Sequence, residues 1–387
     1  MTIGIKKFSK FFLVYEYSVD NIINGNGKNM IKKAFFIFIG VVLLIWGIAV
    51  SKPMSVYTPH DPGGPFKSLA GKYLTENLPS MPDNWVYHKH VTDDGVVLRW
   101  GMSTPASEPK ATIFFIPGYT DTLELHAGTF QQLTNRGYKV IAMDLRGQGL
   151  SQRMLKNPEK IWIDSFDTYK KDIAGLISSL DDEIDGKLII AGNSLGGLSA
   201  TYMLDDRTLP IDAAFLLVPA LRVISDGVNP EDVVRQTGLF RALGFGERYT
   251  PGGTDWRPIT VDFTEANYCG SNRMDKAHLK DAFYSLNPEY RVGAMSIGMV
   301  NEVFKAGAKT RSPAFLDNIN VPILMVTGDR DLVVDSAAAN EVCGQIEDCT
   351  LVRFAKAGHC INHELDEIVT EMFDRLDEFV IQLNAPS

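Results

Sequence analysis

Short apolar segments that alternate with stretches of helical length constrain this 387-residue chain more than any other feature. They are rich in β-branched and aromatic residues and carry apolar residues on both faces, which is typical of strands buried on both faces of a parallel sheet. The segments are ATIFFIP (111–117), YKVIAMD (138–144), KLIIAG (187–192), DAAFLLVP (212–219), VPILMVTG (321–328) and CTLVRFA (349–355). Amphipathic stretches such as 165–184 lie between most of them. We therefore predict an α/β fold whose mostly parallel sheet carries helices on both faces.

Two regions depart from this alternation. The stretch WVYHKHVTDDGVVLRWGMS at 85–103 alternates around a glycine-containing turn and predicts a β-hairpin, which adds two strands to the sheet. About 100 residues separate Val218 from Val321, and they contain helical patches and the Gly/Pro-rich TPGGTDWRP, so they are too structured for a loop. We predict an inserted helical cap at about 221–312.

The N-terminus differs from the rest of the chain. An uncharged apolar run at 34–50 follows the basic KNMIKK and, at about 1.5 Å per residue, is at the short end of what spans a bilayer. We predict a transmembrane anchor at 34–51, with residues 1–33 cytoplasmic and the remainder on the periplasmic side of a bacterial inner membrane. The alternatives are a signal segment that is cleaved to release a secreted protein, and a buried helix. If Met30 is the true start, residues 1–29 are not translated.

The polar, Pro- and Gly-rich stretch at 52–82 predicts a linker, so the globular domain is expected at 83–387. The four cysteines at 269, 343, 349 and 360 include no CxxC pair that would indicate zinc or redox chemistry. Cys343 and Cys349 are close enough to form a disulfide in an oxidising compartment, and the alternative is four free thiols. The net charge of −9 gives no basic footprint, which argues against a nucleic-acid partner.

The stretch Gly192-Asn193-Ser194-Leu195-Gly196 joins a predicted strand to a predicted helix. A nucleophile elbow needs small residues beside its serine, because the turn is so tight that side chains there would meet neighbouring backbone. The pattern alone also occurs in ordinary turns, and the strand-turn-helix context favours the elbow. We predict Ser194 as a catalytic nucleophile, with Gly192 and Gly196 as the glycines of the elbow.

A serine nucleophile needs a base that is itself oriented by an acid. In a fold of this kind the acid and then the histidine follow at the ends of later strands, which indicates Asp331 in GDRD and His359 in AGHCINHE. Asp329 is the alternative acid. His363 has the i,i+4 spacing of a metal pair with His359, but the HExxH glutamate is absent, so we predict no metal and a solvated or capping His363.

An oxyanion hole requires two preorganised N–H donors, one from the residue after the serine and one from the loop after an earlier strand. Leu195 follows the serine. The loop PGYTDT exposes its backbone after the first parallel strand, and the amide of Tyr119 is the predicted second donor.

These stretches, together with MDLRGQGLSQR (143–153) and VPAL (218–221), resemble the serine α/β-hydrolases of the lysophospholipase and monoacylglycerol lipase group. The resemblance covers roughly 83–383. Pro117-Gly118 in place of His-Gly, RGQGLSQR and the cap segment NPEYRVGAMSIGMVNEVFKAG look like the bacterial lysophospholipase L2 type. Asn193 departs from the histidine common in relatives, on a side chain that points away from the serine in the family's elbow.

The resemblance implies an eight-stranded α/β-hydrolase fold with a cap, and acyl transfer from an ester of a lysophospholipid or monoacylglycerol to water without a cofactor. The DLRGQGLS loop is expected to support the structure rather than the chemistry. A general carboxylesterase, an aminopeptidase or an acyltransferase of the same fold is the alternative. A binding protein without activity is a third hypothesis, which the filled catalytic positions disfavour. A membrane tether would place the pocket beside its lipid substrate.

Overall fold

The computed structural model describes residues 47, 56–225, 227–260, 262–263, 271–273 and 275–385. Its centre is one sheet of eight strands. The strands are β1 Val86–Val91, β2 Val97–Ser103, β3 Thr112–Ile116, β4 Lys139–Met143, β5 Leu188–Asn193, β6 Ala213–Leu217, β7 Ile323–Gly328 and β8 Cys349–Phe354. All eight coincide with the segments that the sequence predicts as strands.

The strand order is β1-β2-β4-β3-β5-β6-β7-β8. The pairs β1–β2 and β2–β4 are antiparallel and all the others are parallel, which confirms the mostly parallel sheet. Strands β3 to β7 are buried at every position, whereas the edge strand β1 is mostly exposed. The central strands therefore read as continuous apolar runs because helices and the cap exclude water from both of their faces.

The described part of the chain also contains α-helices that pack on the sheet or lie in the cap. Their bounds are α1 Gly64–Asn77, α2 Ala127–Asn135, α3 Phe166–Ser178, α4 Leu195–Met203, α5 Pro230–Phe240, α6 Leu279–Leu286, α7 Ile297–Thr310, α8 Pro313–Leu316, α9 Ala337–Cys343 and α10 Asp366–Leu383. Helices α3, α4 and α7 contact one another. Helices α2 and α10 are joined through Asp377, which accepts hydrogen bonds from Arg136 and Tyr138.

The region between β6 and β7 carries α5, α6 and α7, in agreement with the predicted helical cap. Helix α5 begins at Pro230 after Asn229, whose side chain accepts a hydrogen bond from the amide of Glu231. Helix α7 begins in the same way, with the Ser296 hydroxyl accepting from the amide of Met299. These caps satisfy amides at the two helix starts that have no partner within the helix.

The segment predicted as a linker, 52–82, contains helix α1 in its described part. Tyr73 of α1 stacks on Phe263 with ring centroids 5.0 Å apart, and Ala70 is fully buried beside Ala282 of α6. The difference from an extended spacer has a physical reason: α1 buries its apolar face against the cap, a contact between residues about 200 positions apart that local composition does not reveal.

The predicted membrane segment, 34–51, lies outside the described residues except for Gly47. Across the described ranges, none of the helices combines the length and the apolar character needed to cross a bilayer. Cys343 and Cys349 form a disulfide with their Cα atoms 5.3 Å apart, and Cys360 is also disulfide-bonded. For the cysteines that the structure describes, this selects the oxidised alternative over free thiols.

Candidate active site

Ser194 lies at the sharp turn between β5 and α4, with a backbone φ of 54° that non-glycine residues seldom adopt. Tight packing explains the glycines around it. A Cβ atom on Gly192 would lie 2.3 Å from the carbonyl oxygen of Gly196, and one on Gly196 would lie 1.9 Å from the carbonyl oxygen of Ile116. Side chains at these two positions are therefore excluded, as the elbow hypothesis requires.

The structure brings Ser194, His359 and Asp331 together at the carboxyl ends of β5, β8 and β7. The Ser194 Oγ lies 2.9 Å from His359 Nε2, and His359 Nδ1 lies 2.7 Å from Asp331 Oδ2. Ser194 and His359 are nearly buried, with 9% and 8% of their surfaces exposed. Since both ring nitrogens of His359 are used, the imidazole is held in one orientation between the hydroxyl and the carboxylate.

Asp331 and Asp329 have different surroundings. The Asp331 Oδ1 accepts hydrogen bonds from the amides of Val333 at 2.7 Å and Val334 at 2.8 Å, which aims Oδ2 at the histidine. Asp329 instead pairs with Arg353 at 2.9 Å, and both of those side chains are partly exposed. The geometry therefore favours Asp331 over the alternative acid.

The two predicted oxyanion donors lie on adjoining backbone. Leu195 is the first residue of α4, so helix geometry leaves its amide without an intrahelical acceptor. Tyr119 lies in the turn Gly118–Asp121, which approaches the elbow so closely that a Cβ on Gly118 would lie 3.2 Å from the Asn193 carbonyl oxygen. Within the described chain the Tyr119 amide has no hydrogen-bond acceptor.

The DLRGQGLS stretch packs behind this turn. Asp144 is buried and accepts hydrogen bonds from the amides of Leu123 at 3.1 Å and Leu150 at 2.9 Å, while it pairs with Arg99. Burial raises the pKa of Asp144, which Arg99 opposes. The stretch supports the loop after β3 and supplies no group to the Ser194 hydroxyl among the described contacts.

A second polar cluster lies beside the triad, and sequence reasoning did not find it. His126 is 1% exposed, with Nε2 lying 3.3 Å from Asp121 Oδ2 and Nδ1 lying 3.1 Å from Asn362 Nδ2. Burial acts to raise the pKa of Asp121, but the hydrogen bond from His126 and the charges of His126 and Lys280 lower it to about 2. Asp121 and His126 follow Tyr119 in the chain, and Asn362 follows His359. These positions in the two loops that carry Tyr119 and His359 were the signal available in the sequence.

The prediction of a solvated or capping His363 is wrong. His363 ends the short 3₁₀ turn Ile361–His363, and its ring centroid lies 6.4 Å from that of His126. Burial, followed by the charge of His126, lowers the pKa of His363 to about 3. No group of three or more His, Cys, Asp or Glu side chains in the described part of the chain could hold a metal ion.

Residues 107–366 match the family described as serine aminopeptidase, S33. Among curated proteins, the chain is 23% identical to a probable lysophospholipase L2 of Haemophilus influenzae, over 71% of this chain and 85% of the relative. It is 31% identical to the AB hydrolase superfamily protein YfhM of Bacillus subtilis, over 73% of this chain and 94% of the relative.

Among solved structures, a soluble variant of monoglyceride lipase from Saccharomyces cerevisiae superposes with a TM-score of 0.61 and 16% identity. The superposition covers 78% of this chain and 96% of the yeast chain, which confirms the fold. The chain belongs to the serine aminopeptidase S33 family of α/β-hydrolases.

Proposed function

We propose that this protein is a serine ester hydrolase whose catalytic triad is Ser194, His359 and Asp331. The observation that supports the proposal is the continuous hydrogen-bonded chain from Ser194 Oγ through His359 to Asp331, with contacts of 2.9 Å and 2.7 Å. A serine hydroxyl is a weak nucleophile at its ordinary pKa, and a hydrogen-bonded imidazole oriented by a carboxylate is the arrangement that activates it.

The reaction follows from this arrangement. The Ser194 Oγ attacks the ester carbonyl while His359 Nε2 takes the hydroxyl proton, and the imidazolium then gives that proton to the leaving alcohol. Water, deprotonated by the same histidine, next attacks the acyl-serine, and the returned proton releases the carboxylic acid and regenerates Ser194. Asp331 stays ionised and stabilises the imidazolium in both halves of the reaction.

The oxyanion formed in each half-reaction is assigned to the amides of Leu195 and Tyr119. These amides lie at the start of α4 and in the Gly118–Asp121 turn, two stretches of backbone that pack directly on each other. Fixed donors at such a site cost no reorganisation at the moment of reaction, and one donor typically contributes about 3 kcal/mol to the stabilisation of the transition state.

The substrate class that we propose is lysophospholipids or monoacylglycerols. The support comes from relatives named lysophospholipase L2 and monoglyceride lipase, which the chain matches over most of their length. The family description, serine aminopeptidase, favours a second candidate on the same triad, the hydrolysis of an N-terminal peptide bond. In that candidate the bond that is cleaved is an amide rather than an ester, and the roles of Ser194, His359 and Asp331 are unchanged.

Labelling with a fluorophosphonate probe tests the triad in the full-length protein. We expect the wild type to label, and Ser194→Ala and His359→Ala to lose the labelling. Rates with lysophosphatidylcholine, a monoacylglycerol, short-chain p-nitrophenyl esters and amino-acid p-nitroanilides then separate the substrate classes. A wild type that folds but does not label would overturn the enzyme proposal in favour of a binding protein on a hydrolase fold.

We also propose that the domain, with bounds near 83–387 and its cap at 221–312, works outside the cytoplasm behind an N-terminal anchor at 34–51. The disulfide between Cys343 and Cys349 supports an oxidising compartment, because such bonds seldom persist in a reducing cytosol. The test is fractionation of cells that express the full chain. Recovery in the cytosolic fraction with free thiols at both positions would contradict the location.

A further inference from the structure

Thr120 occupies an unusual backbone position next to the proposed oxyanion donor. It is the third residue of the turn Gly118–Asp121, which is closed by a 3.3 Å hydrogen bond from the Asp121 amide to the Gly118 carbonyl. Its φ of 61° lies in the left-handed region, where a β-branched residue is unfavourable and glycine is preferred. A conformation of this kind persists only when its surroundings hold it.

Three hydrogen bonds connect Thr120 to other segments of the chain, and they come from two sides of the molecule. On one side, the amide of Thr120 donates to Gln148 Oε1 at 2.8 Å. On the cap side, the Tyr284 hydroxyl of α6 donates to the Thr120 carbonyl at 2.8 Å, and Lys280 Nζ donates to its hydroxyl at 2.8 Å. Gln148 and Tyr284 are each 1% exposed, so water has little access to these two side chains.

These contacts fix both peptide groups of Thr120. The bond to Gln148 occupies the N–H of the peptide that Tyr119 shares with Thr120, and the bond to Tyr284 occupies the carbonyl of the next peptide. The ring of Tyr119 is held too, because its hydroxyl donates to the Gly293 carbonyl at 3.0 Å. With the amides of Thr120 and Asp121 satisfied in this way, the Tyr119 amide remains available to an oxyanion.

We propose that Gln148 and Tyr284 are positioning residues of the oxyanion hole, which they align by clamping Thr120 between the DLRGQGLS loop and the cap. The inference rests on the proposed function. Under this proposal the cap contributes to the chemical step, because Tyr284 of α6 holds the Thr120 carbonyl. Gln148 of the DLRGQGLS loop holds the Thr120 amide and thereby helps to align the reacting groups.

The test uses the full-length variants Gln148→Met and Tyr284→Phe, which remove the side-chain hydrogen bonds to the Thr120 amide and carbonyl and keep the approximate shape of the side chain. We expect kcat for a p-nitrophenyl ester to fall about tenfold in each, below the 10²–10³-fold typical of deleting a donor because a displaced amide still contributes. KM is expected to stay within about twofold, because the clamp acts on the transition state rather than on ground-state binding.

Affinity for an alkyl boronic acid separates positioning from general loosening, since its tetrahedral adduct on serine places an oxygen in the hole. That affinity is expected to fall in parallel with kcat, while affinity for the fatty-acid product stays unchanged. Tyr138→Phe is the matched control: Tyr138 is also fully buried, but its hydroxyl donates to Asp377 at 2.7 Å beside α10, and its kcat is expected to equal that of the wild type.

If both variants keep wild-type kcat and boronic-acid affinity while their melting temperatures match the wild type, the clamp proposal is overturned. A fall in melting temperature with kcat and KM unchanged would overturn it as well, because it assigns the contacts to stability alone. Should Gln148→Met fail to fold, Tyr284→Phe decides the question. A wild type that neither labels nor hydrolyses esters would instead refute the proposed function, which makes the two failures distinguishable.

Discussion

The elbow and the cap both contact the turn Gly118–Asp121, but they are held in place by different means. At the elbow, backbone packs on backbone within the turn itself, and a Cβ on Gly192 would lie 2.3 Å from the carbonyl oxygen of Gly196, four residues later. The cap side is held by side chains: buried Glu364 accepts hydrogen bonds from the Gly358 amide before His359 and from the amide of Asn272, at 3.1 Å each. Geometry that is fixed by residues close together in the chain can be predicted from the sequence. Geometry that is fixed by side chains from distant segments of the chain cannot.

Asp331, which follows β7, is the position where we expect a substitution to reduce activity most. In Asp331→Asn the amide cannot stabilise the imidazolium and favours the wrong tautomer of His359, so kcat should fall about 10⁴-fold. Asp329→Asn is the matched variant two residues earlier, where only a partly exposed pair with Arg353 is lost. Its kcat is expected to stay within about twofold of the wild type, since exposed ion pairs contribute little. Steady-state rates with one ester substrate check both values.

An equal loss of activity in Asp329→Asn and Asp331→Asn would contradict this expectation. Circular dichroism on both proteins verifies that neither loss reflects unfolding. A large effect at Asp329 would mean that the acid role is not assigned by the short contact between Asp331 and His359, and the triad would have to be redrawn.

Two glycine substitutions test the contrast between the elbow and the cap side through the free energy of unfolding. Gly196→Ala places a Cβ on the carbonyl of Ile116, and we expect the free energy of unfolding to fall by about 3 kcal/mol or more. Gly71→Ala lies inside α1, where a Cβ would meet only Leu286 at 3.9 Å, and it should gain about 0.5–1 kcal/mol from the better helix propensity of alanine. Urea unfolding of both variants gives the difference.

Similar changes in the free energy of unfolding of Gly196→Ala and Gly71→Ala would contradict the contrast between the elbow and the cap side. In particular, a tolerated Gly196→Ala would show that the elbow can relax, and a destabilising Gly71→Ala would show that α1 approaches the cap more closely than an ordinary van der Waals contact.

The parts of the molecule that sequence predicts are those with a local physical cause. Strands β3 to β7 consist mostly of apolar residues because each is buried on both faces, and this pattern is visible in five or six consecutive letters. The elbow glycines and the placement of Ser194 and His359 after strand ends are visible for the same reason. The sequence indicates Asp331 but leaves Asp329 as the alternative acid, because the decision between them depends on where Arg353 and His359 lie in the folded chain.

Helix α1 and the Thr120 clamp show what local patterns leave out. Helix α1 begins after a Pro- and Gly-rich stretch, and it packs against α6, about 200 residues away in the chain. Gln148 lies in a motif that resembles other hydrolases, but its bond to the Thr120 amide spans 28 positions. Neither pairing has a signature in one sequence, since each is a tertiary contact that overrides local preference.

A smaller change, in stability at low pH, is expected at the junction between the His359 loop and the cap. The folded-state pKa of His363 is lowered from 6.5 to about 3, chiefly by burial, so between these values the unfolded chain binds a proton that the folded chain does not. Stability from this residue is therefore complete above about pH 6.5 and declines as the pH falls toward 4. Protonation of Asp121, whose pKa is lowered to about 2, begins only below this window.

Thermal unfolding between pH 7.5 and 4.5 checks this expectation. His363→Asn should flatten the decline in melting temperature, whereas His90→Asn on the edge strand β1 should retain it. His126, Asp121 and Lys276 act electrostatically on His363, and the Ser271 hydroxyl of the cap donates to its carbonyl at 3.1 Å. Acid should therefore loosen the cap junction before the elbow, and amide exchange that rises first at 271–286 rather than in β5 and α4 would support that order. Exchange that rises first at the elbow would reverse the contrast between the two regions, because backbone packing would then be the weaker restraint.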